Sequence, residues 1–314
     1  MRASAPLAAV ASATSFAQHS VQELAALAEL SVAERETLHD NGLDEIPVAE
    51  RDLPGLVLEV LDELAAQGVD RGRCDAVVVT HSLTLTEAEL AELGALLRDE
   101  LPGLVGPPVF LTGRPCSVLH LGIELAVRRS ARNLGPTLVL GGDLAPSVED
   151  RFFFGSAMGD SAVGLVVGGT AGVDPLAEVL ACRSTWQVLA GDGARSDPAD
   201  IDRFRAQNPT AIRATIETTL RDGGLDWDSL TAVVPHTPYR AIWDTVATLC
   251  RFPRERILDT DLAQTGHLNS NDVAVHFARA LRHGRLRPGD TAALVSPGFG
   301  GTRGCTLVRV GEVG

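Results

Sequence analysis

Two stretches of the chain repeat one pattern of apolar and polar positions. Residues 56–82 and 212–237 each begin with an amphipathic helical periodicity, pass through a glycine at Gly68 or Gly224, and then enter a short apolar run. In both stretches the run begins eight positions after the glycine. Short continuous apolar runs are typical of strands buried in a parallel sheet. The pattern therefore predicts one helix and one buried strand in each stretch.

A second pair of matching stretches predicts another helix followed by another strand. The helices are expected over 121–132 and 273–282, and the strands over 135–143 and 288–296. Alternating strands and helices with long connections predict layered α/β structure. Because both pairs match, we expect two pseudo-twofold-related βαβαβ halves that form a layered α/β/α/β/α core.

The same repeat divides the chain into two predicted parts, residues 1–172 and 173–314. The buried helix of the first part would begin near Cys116, and its equivalent in the second part would begin within residues 266–272. A pseudo-twofold axis would bring these two helix starts towards the middle of the molecule. His236 ends the apolar run of the second part, where α/β proteins place ligands. We therefore expect one site built from both parts.

Composition and charge exclude several kinds of partner. Hydrophobic residues make up 45% of the chain, which is enough for a substantial core. The formal net charge is −14, whereas nucleic-acid phosphates and anionic membranes attract basic surfaces. No apolar run approaches the ~20 residues of a membrane span. Residues 1–18 lack the continuous apolar region of a signal peptide, so we expect a cytoplasmic protein without nucleic-acid or membrane partners.

The five cysteines are scattered and include no CxxC pair. This spacing favours neither a disulfide framework nor a metal site, and it fits a reducing cytosol. Cys116 differs from the others because it follows a Gly-Arg-Pro turn and precedes an amphipathic helix. The unpaired N–H groups and the dipole at a helix N-terminus favour a thiolate. The structural alternative is a small buried core residue.

Two histidines and a glycine-rich loop could act with this thiol. His236 could serve as a base, and His267 lies in a Thr-Gly-His-Leu-Asn-Ser-Asn-Asp segment that ends at Asp272. The structural alternative for that segment is an ordinary helix cap, since Ser, Asn and Asp are favoured there. Residues 296–304 read Ser-Pro-Gly-Phe-Gly-Gly-Thr-Arg-Gly. Such a loop can aim backbone N–H groups at a developing oxyanion.

Taken together, these residues resemble the thiolase superfamily, and within it the ketoacyl-ACP synthase III-like enzymes. The stretch from Cys116 through a helix to Gly141-Gly142-Asp143 is similar to the family's nucleophile helix and the strand that follows it. Residues 158–164 resemble the family's Phe-Gly-Asp-Gly-Ala-Gly-Ala motif. The family's His-Gln-Ala-Asn motif is matched only at His236. The resemblance covers roughly residues 50–314 and implies a thiolase fold with Cys116 as nucleophile.

The departures from the family pattern point to a subgroup. The decarboxylating enzymes have Gly-Asn where this chain has Gly266-His267, and Gly-His resembles ketoacyl synthases I and II and the thiolases. Gly266-His267-Leu268, with Asp272 five residues after the histidine, looks most like the synthase III-like acyltransferases of antibiotic pathways, which use Cys or Ser, His and Asp. That match implies that Asp272 orients His236. An Arg-Thr-Gly-Ile segment that helps bind CoA in the housekeeping enzymes is missing, and Arg240 is one position early, which favours a carrier-protein thioester over CoA.

The resemblance implies a Cys–His acyltransferase that uses no cofactor beyond the acyl-phosphopantetheine or CoA thioester. Its acyl group would pass through Cys116 to a hydroxyl, amine or thiol of a small-molecule acceptor. Two alternatives stay open, a decarboxylating ketosynthase that uses His236 and His267, and a non-catalytic partner subunit. The family is typically dimeric, so we expect a homodimer.

Further residues are expected to serve this chemistry. The oxyanion and pocket residues would be Phe299, Gly300, Gly301 and Asn269. A basic patch for carrier docking would include Arg240, Arg251 and Arg254, which follow His236 in the sequence. The structural alternative for the arginines is a solvated helix surface.

Overall fold

The computed structural model describes residues 4–186, 197–259 and 261–311. The strands in chain order are β1 (Ala5–Ser12), β2 (Phe16–Ser20), β3 (Glu45–Ala49), β4 (Ala76–Thr80), β5 (Val109–Leu111), β6 (Thr137–Asp143), β7 (Phe152–Phe153), β8 (Ser156–Ala157), β9 (Ser161–Val167), β10 (Ala177–Trp186), β11 (Ala232–Pro235), β12 (Thr291–Pro297) and β13 (Thr302–Val310). The helices are α1 (Val21–Leu27), α2 (Val32–Asp40), α3 (Leu53–Ala66), α4 (Glu87–Glu100), α5 (Val118–Ser130), α6 (Pro198–Gly223), α7 (Ala241–Cys250), α8 (Leu262–Thr265) and α9 (Asp272–Arg282).

The central sheet has the internal symmetry that the repeat predicts. Its order is β5-β4-β6-β9-β1-β10-β13-β12-β11, with β1 and β10 paired antiparallel at the centre. Outward from that pair, β9 corresponds to β13, β6 to β12 and β4 to β11. The strand directions also match, because the second and third pairings are antiparallel and parallel in each half. The predicted pseudo-twofold halves are therefore confirmed, and their strands join into one sheet.

Helices α5 and α9 lie between the two halves of this sheet. Helix α5 packs against β4 and β6 of the first half and against β10 and β13 of the second. Helix α9 packs against β11 and β12 as well as β1 and β9. Helices α3 and α6 cover the outer faces of the first and second halves. The layered α/β/α/β/α core expected from the sequence is confirmed, and the predicted division after residue 172 falls between β9 and β10.

The first 50 residues contribute structure that the sequence pattern did not predict. Strand β1 is buried along most of its length and is one of the two strands at the centre of the sheet. Strands β2 and β3 pair with each other, and α1 and α2 pack beside them in a smaller apolar cluster. Within the described ranges, no helix is long and apolar enough to cross a bilayer.

The motif at residues 158–164 is anchored by a buried ion pair. Asp160 accepts two hydrogen bonds from the Arg151 guanidinium, at 2.9 and 2.8 Å, and both side chains are buried. Asp160 also accepts from the backbone N–H groups of Ala49 and Ala145, each at 2.8 Å. Beside it, the Gly159 N–H donates to the His267 carbonyl. The carboxylate thus joins β3, the segment after β6 and the start of β9 next to the His267 segment.

Removing this carboxylate should strongly destabilise the fold. We expect Asp160→Ala to lower the free energy of unfolding by about 3–5 kcal/mol, because the Arg151 charge would remain buried without a partner. Denaturation in urea measures the change. The control is Asp222→Ala, which breaks the ion pair between Arg183 and Asp222 at the surface and should cost less than about 1 kcal/mol. Equal losses for the two variants would contradict this interpretation.

Candidate active site

Cys116 occupies a tight turn two residues before α5. It is 5% exposed and has a left-handed backbone with φ +62°, an uncommon conformation for a residue with a side chain. The glycine-rich loop presses on this turn, because a Cβ added at Gly298 would lie 1.8 Å from the Pro115 carbonyl oxygen. The Thr302 hydroxyl donates to the same oxygen at 3.2 Å. These contacts fix the thiol at the start of the central helix, close to the position that the sequence predicted.

His267 is the histidine whose ring contacts the thiol. Its Nε2 lies 3.6 Å from Cys116 Sγ. The backbone around it is fixed by a hydrogen bond from the His267 N–H to the Ala157 carbonyl. Gly266 has φ +53°, and a Cβ there would lie 2.6 Å from that carbonyl oxygen, so the approach needs glycine. The sequence analysis assigned the base to His236 and gave His267 a catalytic part in the ketosynthase alternative, and the structure brings both rings to the site.

Asp272, the first residue of α9, connects the two histidines. Its Oδ2 lies 3.0 Å from His236 Nδ1 and 2.8 Å from His267 Nδ1. It also accepts from the backbone N–H groups of Leu268, at 2.7 Å, and Thr237, at 2.9 Å. Burial alone would raise the pKa of this carboxyl, but the imidazoles outweigh burial and hold it below its usual range. Asp272 is therefore a buried, ionised acceptor.

The contacts of Asp272 fix the tautomers of both rings. His236 Nδ1 faces Asp272 Oδ2 and, at 3.2 Å, the Asn269 carbonyl, and both are acceptors. His267 Nδ1 faces Asp272 as well. A neutral imidazole carries one proton, so Asp272 favours the Nδ1–H form of each ring, which leaves Nε2 as an acceptor whenever that ring is neutral. Burial and the neighbouring His267 lower the pKa of His236 to about 4 despite Asp272, so that ring is neutral at pH 7.

The reactive atoms lie close together. The Cys116 sulfur and one nitrogen from each of His236 and His267 lie within 4.8 Å of one another, and the two rings meet edge to face with centroids 4.3 Å apart. Among the described residues this is the group whose spacing could also hold a metal ion. A thiol beside an imidazole whose other nitrogen is held by a carboxylate is the arrangement of an activated nucleophile.

A small, mainly apolar cavity of about 40 Å³ adjoins these atoms. Its aromatic side chains are Phe153 of β7, Phe154 after it, Phe204 of α6 and Tyr239 before α7, and Ile242 of α7 adds an aliphatic side chain. The sequence analysis did not connect β7, α6 or α7 with the site. No periodicity in the sequence distinguishes the lining residues, because α6 contributes only Phe204 and Asn208 to the wall. The lining residues are Cys116, Phe153, Phe154, Ser156, Phe204, Asn208, His236, Pro238, Tyr239, Ile242, His267, Pro297 and Gly298.

The expected oxyanion residues lie on two segments. Phe299 begins a single turn between β12 and β13, and Gly300 and Gly301 continue it with φ of +71° and +79°. The side chain of Phe299 lies outside the described part. Asn269 faces the site through its backbone, since its carbonyl contacts His236 while its amide donates to Met158 Sδ at 2.8 Å. The oxyanion or pocket role of Asn269 stays a prediction.

The three arginines expected to dock a carrier differ in their surroundings. Arg240 and Arg251 are exposed. Arg254 instead pairs with Asp244 and Asp259. Its charge is therefore balanced within the fold, and only the first two of the predicted residues offer a positive charge to a partner.

Part of the chain is similar in sequence to known β-ketoacyl-[acyl-carrier-protein] synthases. Residues 220–310 match the family of 3-oxoacyl-[acyl-carrier-protein] synthase III C-terminal domains. A β-ketoacyl-[acyl-carrier-protein] synthase III from Rhizorhabdus wittichii is 29% identical over 130 residues, which span 39% of this chain and 40% of that protein. The match thus covers less than half the length of that curated relative.

Solved structures match over nearly the whole chain. The 3-oxoacyl-(acyl carrier protein) synthase III FabH from Pseudomonas aeruginosa aligns with a TM-score of 0.79 and 22% identity, covering 99% of both chains. ChlB3, described as an acyltransferase, aligns with a TM-score of 0.83 and 19% identity, covering 98% of both chains. The protein thus has the fold of the thiolase superfamily. Its sequence likeness to the synthase III family lies in residues 220–310.

We expect an acyl thioester to label Cys116 and no other cysteine. Burial raises the pKa of Cys74 and Cys250 to about 11 and that of Cys305 to about 12, and it raises the pKa of Cys182 further. These four thiols are therefore poor nucleophiles near pH 7. Incubation with an acyl-pantetheine thioester, followed by digestion and mass spectrometry, locates the label. Cys116→Ala is the control, and a label on another cysteine in the unaltered protein would contradict the assignment.

Proposed function

We propose that this protein is an acyltransferase that carries the acyl group on Cys116. The thiolate attacks the carbonyl of an acyl-pantetheine thioester, and the pantetheine thiol leaves. A hydroxyl, amine or thiol of a small acceptor then attacks the acyl-enzyme while His236 removes its proton. The bond between the acyl group and Cys116 breaks, and His236 returns the proton to the released sulfur. The observation that carries this proposal is the contact of Asp272 with the Nδ1 atoms of both His236 and His267.

This contact favours base catalysis over enolate stabilisation. A neutral ring protonated on Nδ1 presents an Nε2 lone pair, which accepts a proton from an attacking heteroatom. A decarboxylative condensation instead develops an enolate, and its oxygen needs hydrogen-bond donors. Two Nε2 lone pairs would face such an oxygen with the wrong polarity. Asp272 therefore suits the pair of rings to deprotonating an acceptor.

The two histidines take different parts in the proposed reaction. His267 accepts the proton of Cys116, from which it is 3.6 Å away, and returns it to the departing pantetheine thiol. His236 serves the second half of the reaction as base towards the acceptor. Backbone N–H groups of Cys116 and of the turn at residues 299–301 would bind the carbonyl oxygen as it becomes negative. The proposal adds His267, at the nucleophile, to the His236–Asp272 pair that the sequence resemblance implied.

Condensation is the second candidate, and the relatives favour it by name. The curated relatives are β-ketoacyl-[acyl-carrier-protein] synthases III. The cluster of Cys116, His236 and His267 supports the same reaction once His267 has taken the thiol proton, because its Nε2–H then becomes a donor. In that case His267, rather than Asp272, would carry decarboxylation. The resemblance of Gly266-His267-Leu268 and Asp272 to antibiotic-pathway acyltransferases favours the first candidate and a role in secondary metabolism.

Two substitutions separate the candidates. We expect Asp272→Asn to slow transfer of the acyl group from Cys116 by roughly 10²-fold, since the comparable change in a serine-protease triad costs about 10⁴-fold. Loading of Cys116 should be less affected, because a thiolate favoured at a helix start needs less help from a base. The measurements are intact mass during loading from an acyl-pantetheine donor, then decay of the acyl-enzyme in a series of alcohols, amines and thiols.

Release of CO2 from a malonyl-pantetheine thioester is the opposing test. The acyltransferase should release none above a Cys116→Ala control. Robust CO2 release that is lost in His267→Ala and retained in Asp272→Asn would contradict the acyltransferase and establish the ketosynthase.

The donor is proposed to be an acyl carrier protein. Carrier proteins are usually acidic, and the exposed Arg240 and Arg251 could attract one to the segments that follow His236. We expect Arg240→Glu with Arg251→Glu to raise the KM for an acyl carrier several-fold at low salt, where exposed charges act most strongly. The KM for free acyl-pantetheine should not change. Arg98→Glu with Arg132→Glu, exposed positions on α4 and after α5, is the charge-matched control. An unchanged carrier KM in the Arg240→Glu, Arg251→Glu variant would reject the patch.

A further inference from the structure

Two buried polar side chains line the cavity beside Cys116 without a partner. Asn208, on α6, is 5% exposed, and Ser156, on β8, is 1% exposed. Asn208 Oδ1 and Ser156 Oγ have no hydrogen-bond partner anywhere in residues 4–186, 197–259 and 261–311. Both residues line the cavity that contains the Cys116 sulfur and the two histidines. Native proteins rarely leave such groups unpaired, so each indicates a missing partner.

Most of the other residues that line this cavity are apolar. Phe153, Phe154, Phe204 and Ile242 provide apolar surface beside them. The other polar side chains of the lining are His236, His267 and Tyr239. An apolar side chain at either position would fit this surface without the cost of burying an unpaired polar atom. A polar group that is retained in such a wall is suited to select a ligand that can hydrogen-bond to it.

The size of the cavity limits what can reach these groups. About 40 Å³ is available, and one water-sized group takes roughly 10–15 Å³. The space therefore admits about three to four non-hydrogen atoms by the same scale. Because Cys116 itself lines the cavity, an acyl group bound to its sulfur would occupy this space. A short acyl chain would bring its substituents within reach of the wall.

We propose that Asn208 and Ser156 select a short acyl group that carries a hydroxyl. A hydroxyl can donate to Asn208 Oδ1 or accept from the Ser156 hydroxyl, so such a substituent supplies a partner that an unsubstituted chain lacks. An unsubstituted acyl chain would leave both unpaired when it excludes water from the cavity. This inference names the acyl class of the proposed function and rests on the Cys116 acyl-enzyme. It does not depend on which acceptor receives the acyl group.

The test compares hydroxylated and plain donors on wild type and variants. The probes are N-acetylcysteamine thioesters in two matched pairs, glycolyl with acetyl and lactyl with propionyl. Apart from the carbonyl oxygen, these acyl groups have about two to four non-hydrogen atoms, which the cavity admits. Time-resolved intact mass gives the rate of Cys116 loading from each. We expect wild type to load at least one hydroxyacyl donor about 10-fold or more faster than its plain partner, since sites built to hydrogen-bond a hydroxyl discriminate strongly. Asn208→Leu should reduce that ratio to about 2-fold or less by removing the acceptor.

Matched variants separate hydrogen bonding from shape. Ser156→Ala should reduce the same ratio partly. Ile242→Val alters the cavity wall without changing its polarity, so it should shift both members of a pair equally and leave the ratio intact. Loading of the plain donor by Asn208→Leu, together with an unchanged or raised Tm, shows that the variant is folded. If Asn208→Leu does not fold, the loading ratio of Ser156→Ala decides.

The outcomes distinguish this inference from the proposed function. Equal loading of both members in wild type, or a preference that survives Asn208→Leu and Ser156→Ala, would overturn the inference and leave these groups as water-binding residues. A hydroxyacyl preference followed by no transfer to any heteroatom would support the inference while the acyltransferase fails. Absence of loading from every donor would overturn the acyl-enzyme and both proposals with it.

Discussion

The Asp272 carboxylate is the constraint on which the site depends. It is fully buried and ionised, and such a charge persists only when donors surround it. Two backbone N–H groups and two imidazole Nδ1–H groups provide that environment here. Each donor is thereby fixed in turn, including the connection after β11 through Thr237 and the turn before α9 through Leu268. Loss of the carboxylate would release both histidines and the backbone that carries them.

The symmetry of the fold explains why these groups meet. Cys116 precedes α5 of the first half, and Asp272 begins α9, its counterpart in the second half. Both helices lie between the two halves of the sheet, so their starts converge near the pseudo-twofold axis that passes between β1 and β10. His236 follows β11 and arrives from the edge of the second half. The nucleophile and the base thus belong to different halves, and neither half alone contains the site.

The sequence predicted the helices and strands that carry the site better than it predicted the contacts between the side chains of the site. The repeat predicted α5, β6, α9 and β12 because their apolar periodicity is continuous. It missed β1, whose short alanine-rich run resembles a loop until its pairing with β9 and β10 is known. The match to a known subgroup linked Asp272 to His236 but not to His267, since a five-residue separation does not reveal which ring faces the carboxylate. The sequence did not identify Asn208 as a site residue, because a single asparagine on a helix can be assigned a role only when the cavity that it lines is known.

The shared carboxylate also limits how the two rings can be used. Asp272 stabilises an imidazolium on either ring, but the centroids are 4.3 Å apart, and two cations at that distance repel strongly in a buried site. Only one ring can therefore be charged at a time, which agrees with the lowering of the pKa of His236 by His267. In the proposed reaction, His267 would have to return the Cys116 proton to the departing thiol before His236 takes one from the acceptor. Loading and transfer must then occur in sequence. Because His236 and His267 share Asp272 and lie close together, His236 cannot take a proton from the acceptor before the acyl group is on Cys116.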